Sequence, residues 1–406
     1  MNTHQYDFVI VGGGITGLTI ASELKKRYPD SRLLLLEKET GLGRHGSGLR
    51  NSGVLHSGIY YPERSLKAQL CSAGSQAMEA YCDANSLPIH RIGKIIVPTR
   101  RRDDGILDML LERAAANKAR AVTLIDEKQL RELDPEVRTA SGRALMSPHT
   151  AVVDPMAVLG RLYKDLKDQG AEILLGHCVH DVDPDRSMVF SQDLHIRYRW
   201  LINAAGQHSD TLAKRFGVGD NYVLLPFRGL YYKLDPSCGI RPNHLVYPVP
   251  DMNFPFLGVH SVTTISGDVY FGPSAVPAFG RENYTGLKGV DLLDAISIGF
   301  HLLNQYRLNE QNFRRFAHEE AGRNFKTRFA AAVCKLIPSV PLASLKRSTK
   351  VGIRAQLLDK TTHRLVMDFL IESMGNTVHV LNSVSPAFSS SFAFAEYLVS
   401  KYQFEV

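Results

Sequence analysis

The chain has 406 residues, 44% of them hydrophobic and 22% charged, with a formal net charge of +7. That mix builds a sizeable core in roughly two or three domains, and no window approaches the ~18 consecutive apolar residues of a membrane-spanning helix. The five cysteines, Cys71, Cys82, Cys178, Cys238 and Cys334, contain no C-x-x-C pair and give neither a disulfide framework nor a zinc site. The positive charge comes without a helix-turn-helix, RNP or finger signature, so nucleic acid is not implied, while acidic substrates, anionic cofactors and an anionic membrane surface all fit it.

Residues 1–7 carry neither the basic start nor the long apolar run of a signal peptide, which predicts a cytoplasmic chain. Phe8-Val9-Ile10-Val11 reads as a buried strand, and Ile15, Leu18, Ala21 and Leu24 follow at helical spacing. Leu33-Leu34-Leu35-Leu36 is a second buried strand, so a βαβ unit is complete by Glu37. Between the first strand and the helix stands Gly12-Gly13-Gly14-Ile15-Thr16-Gly17, which fits G-x-G-x-x-G. The first glycine permits the tight turn, the second lets a pyrophosphate approach the backbone, and the third packs helix on strand. Helix N-terminal amides then face the anion. Glu37, 20 residues after Gly17, ends the next strand, where a carboxylate accepts hydrogen bonds from ribose hydroxyls. The unit predicts a dinucleotide site around Gly12, Gly14, Thr16, Gly17, Glu37 and the adjoining Lys38.

The turn suits FAD and NAD alike. The segment 41–61 favours FAD, because Gly43, Gly46, Gly48, Gly53 and Gly58 are interspersed with Arg44, His45, Arg50, Asn51, Ser52, His56 and Ser57. Such a run brings backbone close to a large planar ring and surrounds it with donors. Arg44, Asn51, Ser52 and Gly53 are the contacts expected from it. The sequence leaves a covalent flavin link through His45 open.

Farther on, Asp154 reads as an N-cap and Pro155 as the first helical residue, with Val158, Leu162 and Leu166 on one face and Gly170 as the stop before a strand at 171–175. Val179, Ala205 and Gly206 are further expected cofactor contacts, the last two closing the apolar run that starts at Leu201. The stretch 222–345 differs in texture, with strand-like runs at 229–234 and 268–271 and a helical, basic segment near 314–335. A strand at 378–381 and a helix carrying Phe392, Ala395, Val399 and Tyr402 end the chain. The reading is an α/β protein of mixed α+β character. A discontinuous Rossmann-like FAD-binding domain (1–85, 151–221, 346–406) carries an inserted, mainly antiparallel β substrate domain (86–150, 222–345).

The runs 51–61, 65–71, 228–232, 247–250, 254–260, 272–276, 352–356 and 385–387 span nearly the whole chain. In them, for example in Asn51-Ser52-Gly53-Val54-Leu55-His56 and Gly352-Ile353-Arg354-Ala355-Gln356, the chain resembles the D-amino-acid-oxidase-like flavoproteins, and within these the L-2-hydroxyglutarate dehydrogenase/oxidase family. The resemblance implies FAD-dependent oxidation of a 2-hydroxy acid, L-2-hydroxyglutarate to 2-oxoglutarate, with oxygen or a quinone as electron acceptor. Two alternatives stay open: an amine or amino-acid oxidase of the glycine/sarcosine oxidase type, and a non-catalytic flavin electron-transfer subunit.

Oxidising a hydroxy acid requires a base for the hydroxyl proton and fixed cations for carboxylate. His56 is the candidate base, since imidazole accepts a proton near neutral pH; the alternative is that it supports the flavin loop. Arg354 offers a planar fork for a bidentate carboxylate contact, or forms a surface ion pair. His260 either lines the same pocket or is a core histidine, and Tyr60, Tyr61 and Tyr231 either close the pocket or belong to the core. A second cation for a dicarboxylate would come from Lys67, Arg228 or Arg281. Gly352 and, at the start of the last helix, Ser389 and Ser390 are expected at the flavin, where helix amides stabilise negative charge. No metal is expected. The aromatic and basic residues 313–316 and 323–329 either lie on the inner face of an anionic membrane or turn their apolar side inward.

Overall fold

The computed structural model describes residues 3–252, 254 and 256–405; Pro255, within the run 254–260, lies outside them. Strand Thr3–Val11 is the axis of an eight-stranded sheet, flanked in parallel by Leu33–Glu37 and Leu194–Asn203. Glu172–Leu175 extends the sheet on one side and Thr377–Asn382 on the other, both parallel. Strands buried on both faces need apolar residues at every position, and side chains alternate between the faces. Phe8, Ile10, Leu33 and Leu35 meet the helices Ile15–Arg27, Pro155–Asp168 and Ala387–Tyr402, whereas Val9, Val11, Leu34 and Leu36 pack against Leu212, Phe216 and Leu381. The Asp154 carboxylate accepts the Met156 amide at 2.8 Å and Pro155 opens the helix, as the sequence predicts.

The second region contains a six-stranded sheet built on one long antiparallel pair, Tyr222–Leu234 with Leu345–Asp359. Residues 346–359, grouped with the nucleotide domain in the sequence reading, therefore belong to this sheet. Their run begins with the exposed Lys346 and Arg347 and leads to the buried Leu357 and Leu358, so it is covered chiefly toward its C-terminal end. A four-stranded sheet joins Lys94–Val97, Thr123–Asp126 and Arg143–Ser147 to Leu245–Pro248, so the two inserted stretches share hydrogen bonds.

The expected basic helix near 314–335 is two helices, Phe313–Arg323 and Lys326–Cys334. Phe313, Phe316 and Phe329 are buried in the core, whereas Phe325, between the two helices, is 66% exposed. A larger exposed apolar surface lies on the preceding helix, Leu292–Leu308, where Leu292, Leu293, Ile296, Phe300 and Leu303 face solvent.

One helix contact fixes the wall of the cofactor domain. Helix Leu66–Ala84, capped by Ser65 Oγ at 3.1 Å from the Ala68 amide, crosses Ala387–Tyr402 at Gly74. A Cβ at Gly74 would stand 2.6 Å from Ser390 Cα and 2.7 Å from the Ser389 carbonyl oxygen. The Gly74→Ala variant is expected to lose about 1–3 kcal/mol of stability by overpacking despite alanine's better helix propensity. Urea denaturation of both proteins checks this, and equal midpoints would show that the helices part without cost.

Candidate active site

The two regions enclose one continuous cavity of about 760 Å³, running from Gly12–Gly14 and Glu37 at one end to His56, His260 and Arg354 at the other. At the first end, backbone meets backbone. Gly12 has φ +114°, and a Cβ there would lie 2.3 Å from the Ala204 carbonyl oxygen, so only glycine fits. Gly17 does not line the cavity; a Cβ on it would stand 1.9 Å from the Gly12 oxygen, and its part is to let helix close on strand.

The Gly13 amide donates to Glu37 Oε2 at 2.7 Å and the Glu39 amide to Oε1 at 2.9 Å, orienting the carboxylate on the cavity wall. Helix Ile15–Arg27 starts at Gly14 with no side-chain cap, leaving first-turn amides for an anion. A side-chain-free turn, uncapped amides and an oriented carboxylate fit the pyrophosphate and ribose of a dinucleotide. Thr16, Val179, Ala205 and Gly206 join this wall.

Lys38 also lines the cavity, but its ammonium is paired with Glu39 at 2.5 Å and Glu282 at 2.6 Å. Glu282 further accepts from His208 at 2.9 Å, and these partners hold its carboxyl far below the usual range. His45 bonds Tyr284 Oη at 2.7 Å and Glu39 at 3.0 Å, so its ring is engaged by protein. Glu39, His45 and Glu282 bring three ligand atoms within 4.8 Å of one another, with the Lys38 ammonium already paired to two of them.

Of the middle residues, Arg44, Asn51, Ser52, Gly352 and Ser389 line the cavity, and Gly53 and Ser390 do not. Gly53 has φ +76° and lies against the Val153 carbonyl, where it makes the turn into strand Val54–Leu55; Ser390 faces Gly74. Both departures arise from tertiary packing that spacing does not reveal.

At the second end, His56 is fixed through its backbone: its N–H donates to Ser389 Oγ at 2.9 Å, and its carbonyl accepts the Cys71 thiol at 3.1 Å. Its ring stands edge-on to Tyr247, 6.4 Å between centroids, and Tyr247 stacks on His260 at 3.9 Å. His260 Nδ1 lies 2.8 Å from the Gly258 carbonyl, which assigns the proton to Nδ1 and leaves Nε2 as an acceptor. Arg354 sits on Leu345–Asp359 opposite Phe227, its guanidinium 5.1 Å from the Phe256 ring centre.

Burial, then the charges of Lys94, His260 and Arg354, pushes His56 well below its ordinary 6.5. Burial likewise takes His260 down to about 4. The wall thus carries two neutral imidazoles beside a guanidinium, which keeps its charge. Tyr231 joins it, while Tyr60 and Tyr61 lie in the core behind. None of the three proposed second cations lines the cavity. Lys67 is buried between Tyr61 and Phe369, Arg281 is paired with Asp210 and Asp294, and Arg228 lies outside the lining. Sequence reasoning missed Lys94, wholly buried beside Tyr60 and Tyr247; a lone lysine opening an apolar strand was its only signal.

Comparison with known proteins follows the same outline. A family model for FAD dependent oxidoreductases matches residues 7–401. An L-2-hydroxyglutarate dehydrogenase of Escherichia coli K12 is 35% identical over 405 residues, covering 98% of this chain and 93% of the relative. A mitochondrial L-2-hydroxyglutarate dehydrogenase of Nematostella vectensis is 36% identical over 422 residues, covering 98% and 91%. Among solved structures, dithionite-reduced L-alpha-glycerophosphate oxidase from Mycoplasma pneumoniae with FAD bound has a TM-score of 0.77 at 20% identity, covering 100% of this chain and 96% of that one. Glycine oxidase from Geobacillus kaustophilus has a TM-score of 0.71 at 16% identity, covering 99% and 96%. These two share the fold.

The depressed imidazole of His260 has a consequence for stability. An unfolded histidine binds a proton below about 6.5, whereas folded His260 binds one only near 4, so its contribution is complete above about 6.5 and is lost as pH falls toward 4. Replacing it, as in His260→Asn, should reduce the acid-side slope of unfolding free energy by up to about 1.4 kcal/mol per pH unit. Urea denaturation of both proteins at pH 7, 6 and 5 reads the difference. Identical slopes would mean the ring titrates normally.

Proposed function

The chain belongs to the FAD dependent oxidoreductase family, and from that premise we propose that it oxidises L-2-hydroxyglutarate to 2-oxoglutarate. The observation that carries the reading is the pairing of a neutral imidazole, His56, with a half-buried guanidinium, Arg354, on the cavity wall beyond the dinucleotide cradle. Gly12, Gly14, Thr16, Glu37, Val179 and Ala205 would hold the adenosine half of FAD, with Asn51, Ser52, Gly352 and Ser389 toward the ring. Bound there, FAD supplies the acceptor for the hydrogen that leaves the substrate carbon with its electron pair.

Arg354 binds the carboxylate beside the reacting carbon and turns the hydroxyl toward His56. The His56 imidazole takes the hydroxyl proton. Tyr247 stacks on His260 and meets His56 edge-on, which restrains both rings, and the buried wall excludes water that would compete for the proton. An amine substrate of the glycine oxidase kind uses the same carboxylate contact, so hydroxy acids and amino acids must be compared directly.

Anaerobic bleaching of the bound flavin is expected with L-2-hydroxyglutarate and not with glycine or sarcosine. His56→Ala should slow reduction at saturating substrate by about 10²- to 10⁴-fold. Arg354→Ala should mainly raise the substrate concentration required. Both should retain FAD. A His56 variant that reduces at the native rate would return that residue to flavin support, and bleaching only by amino acids would overturn the substrate.

We further propose that the enzyme rests on an anionic lipid surface and reoxidises there with a quinone. Helix Leu292–Leu308 carries Leu293, 79% exposed, together with Ile296, Phe300 and Leu303 on its outer side; exposed Lys288 precedes it, and Arg307 and Arg314 stand at its other end. An apolar stripe bordered by basic residues is the composition of an interfacial helix. No helix among the described residues is long and apolar enough to cross a membrane. Co-sedimentation with vesicles containing phosphatidylglycerol is expected, weakening with phosphatidylcholine alone and lost in Ile296→Glu/Phe300→Glu. Dimerisation through this stripe in solution without vesicle binding would assign it to a second copy.

A further inference from the structure

Strand Lys94–Val97 lies inside the four-stranded sheet, hydrogen-bonded to Leu245–Pro248 on one side and Arg143–Ser147 on the other. Side chains alternate along it: Ile95 and Val97 enter one core, while Ile96 enters the core that holds Tyr60 and Tyr247. Two residues before Ile96, the same face carries Lys94, with 0% exposure.

Its Nζ has no hydrogen-bond partner among the described residues. It lies 4.7 Å from the Tyr60 ring centre and 5.3 Å from that of Tyr247. Burying an ammonium without a carboxylate costs several kcal/mol, and two ring faces return part of that. Burial brings the amine down to about 8, so most of its charge survives at neutral pH.

The groups around this charge can be named element by element. The segment after strand Val54–Leu55 supplies His56 and Tyr60, helix Leu66–Ala84 supplies the Cys71 thiol, pushed up to about 12 by burial, and Leu245–Pro248 supplies Tyr247. His260 on His260–Thr263 and Arg354 on Leu345–Asp359 also act on His56, and Lys94 acts on His260 in turn. Cys71 and the tyrosines are neutral at physiological pH, so among these described residues no anion offsets Lys94 at His56. The His56 Nδ1 atom is also buried without a hydrogen-bond partner.

We propose that Lys94 is a positioning residue of the reaction: its buried charge, braced by the Tyr60 and Tyr247 ring faces, keeps the His56 imidazole free of a proton, so the ring meets substrate as an acceptor. The proposal rests on the reading of His56 as the base, and the test separates the two.

Protein loaded with FAD and labelled with ¹³C at histidine Cε1 gives a resonance for each ring, and His56→Gln identifies the one of interest. In the native enzyme that resonance should keep its neutral position as the pH falls from 8 through the ordinary histidine midpoint of about 6.5. In Lys94→Met, and independently in Lys94→Gln, its midpoint should rise by about one pH unit or more, and Lys94→Arg should restore native behaviour. The acid limb of anaerobic flavin reduction should move in the same direction. A purely structural role would lower the rate equally at every pH and leave the limb in place.

A native His56 that titrates near 6.5 overturns the proposal, as does a folded, FAD-loaded Met or Gln variant whose His56 midpoint is unmoved. If His56→Ala reduces at the native rate, the base assignment falls, while the resonance still decides whether Lys94 sets the charge of that ring.

Discussion

The architecture turns on a place where two backbones touch with no side chain between them. The Gly12 position abuts the Ala204 carbonyl, and the Gly17 position abuts the Gly12 carbonyl, each closer than any Cβ allows. Because strand, turn and helix are locked at this distance, the Glu37 carboxylate is oriented by the Gly13 and Glu39 amides and the uncapped helix amides open onto the cavity. Helix Ala387–Tyr402 then packs on Ile15–Arg27 from the same side of the sheet and delivers Ser389 to the His56 amide. The adenosine end and the chemical end are joined through one packed layer.

The chemical end is organised by charge of one sign. Lys94 is buried there, Arg354 is half-buried on the cavity wall, Lys67 is buried nearby with Asp368 close to it, and the buried acid on the cavity wall, Glu320, is engaged by Arg323 and the Ala275 amide. A pocket of this kind has a positive potential in a low-dielectric setting, where Coulomb energies far exceed those in water. It favours an anionic substrate and keeps nearby imidazoles neutral. The same positive field that favours a carboxylate lowers the proton affinity of His56 and His260, so selectivity for acids and availability of the base have a common origin.

Local signals in the sequence went far. The glycine turn, the strand ending in Glu37 and the Asp154-Pro155 helix start are each set by residues within a few positions of one another, and the structure has all three. His56, His260 and Arg354 were chosen for the chemistry of their side chains, and all three line the cavity. What escaped was non-local. The segment 346–359 is assigned to its sheet by a partner more than 100 residues away. Gly53 and Ser390 fall outside the cavity lining, packed against Val153 and Gly74. Lys94 looked like an ordinary strand residue, because its importance lies in Tyr60, Tyr247 and His56, which reach it from other elements. The exposed stripe on Leu292–Leu308 was hidden because apolar helical spacing reads as core until the missing neighbours are seen.

The segment around Glu282 and Tyr284 gives the cofactor cleft a property of its own. Arg281 grips Asp210, Glu282 gathers Lys38 and His208, and Tyr284 engages His45 and takes the Arg50 guanidinium over its ring at 3.4 Å. These contacts span from the inserted region to the nucleotide-binding region, and several border the cavity itself. The Arg281–Asp210 pair is nearly buried, and salt screens such a pair far less than an exposed one, so the tie between the two regions beside the cavity is one that ionic strength scarcely loosens.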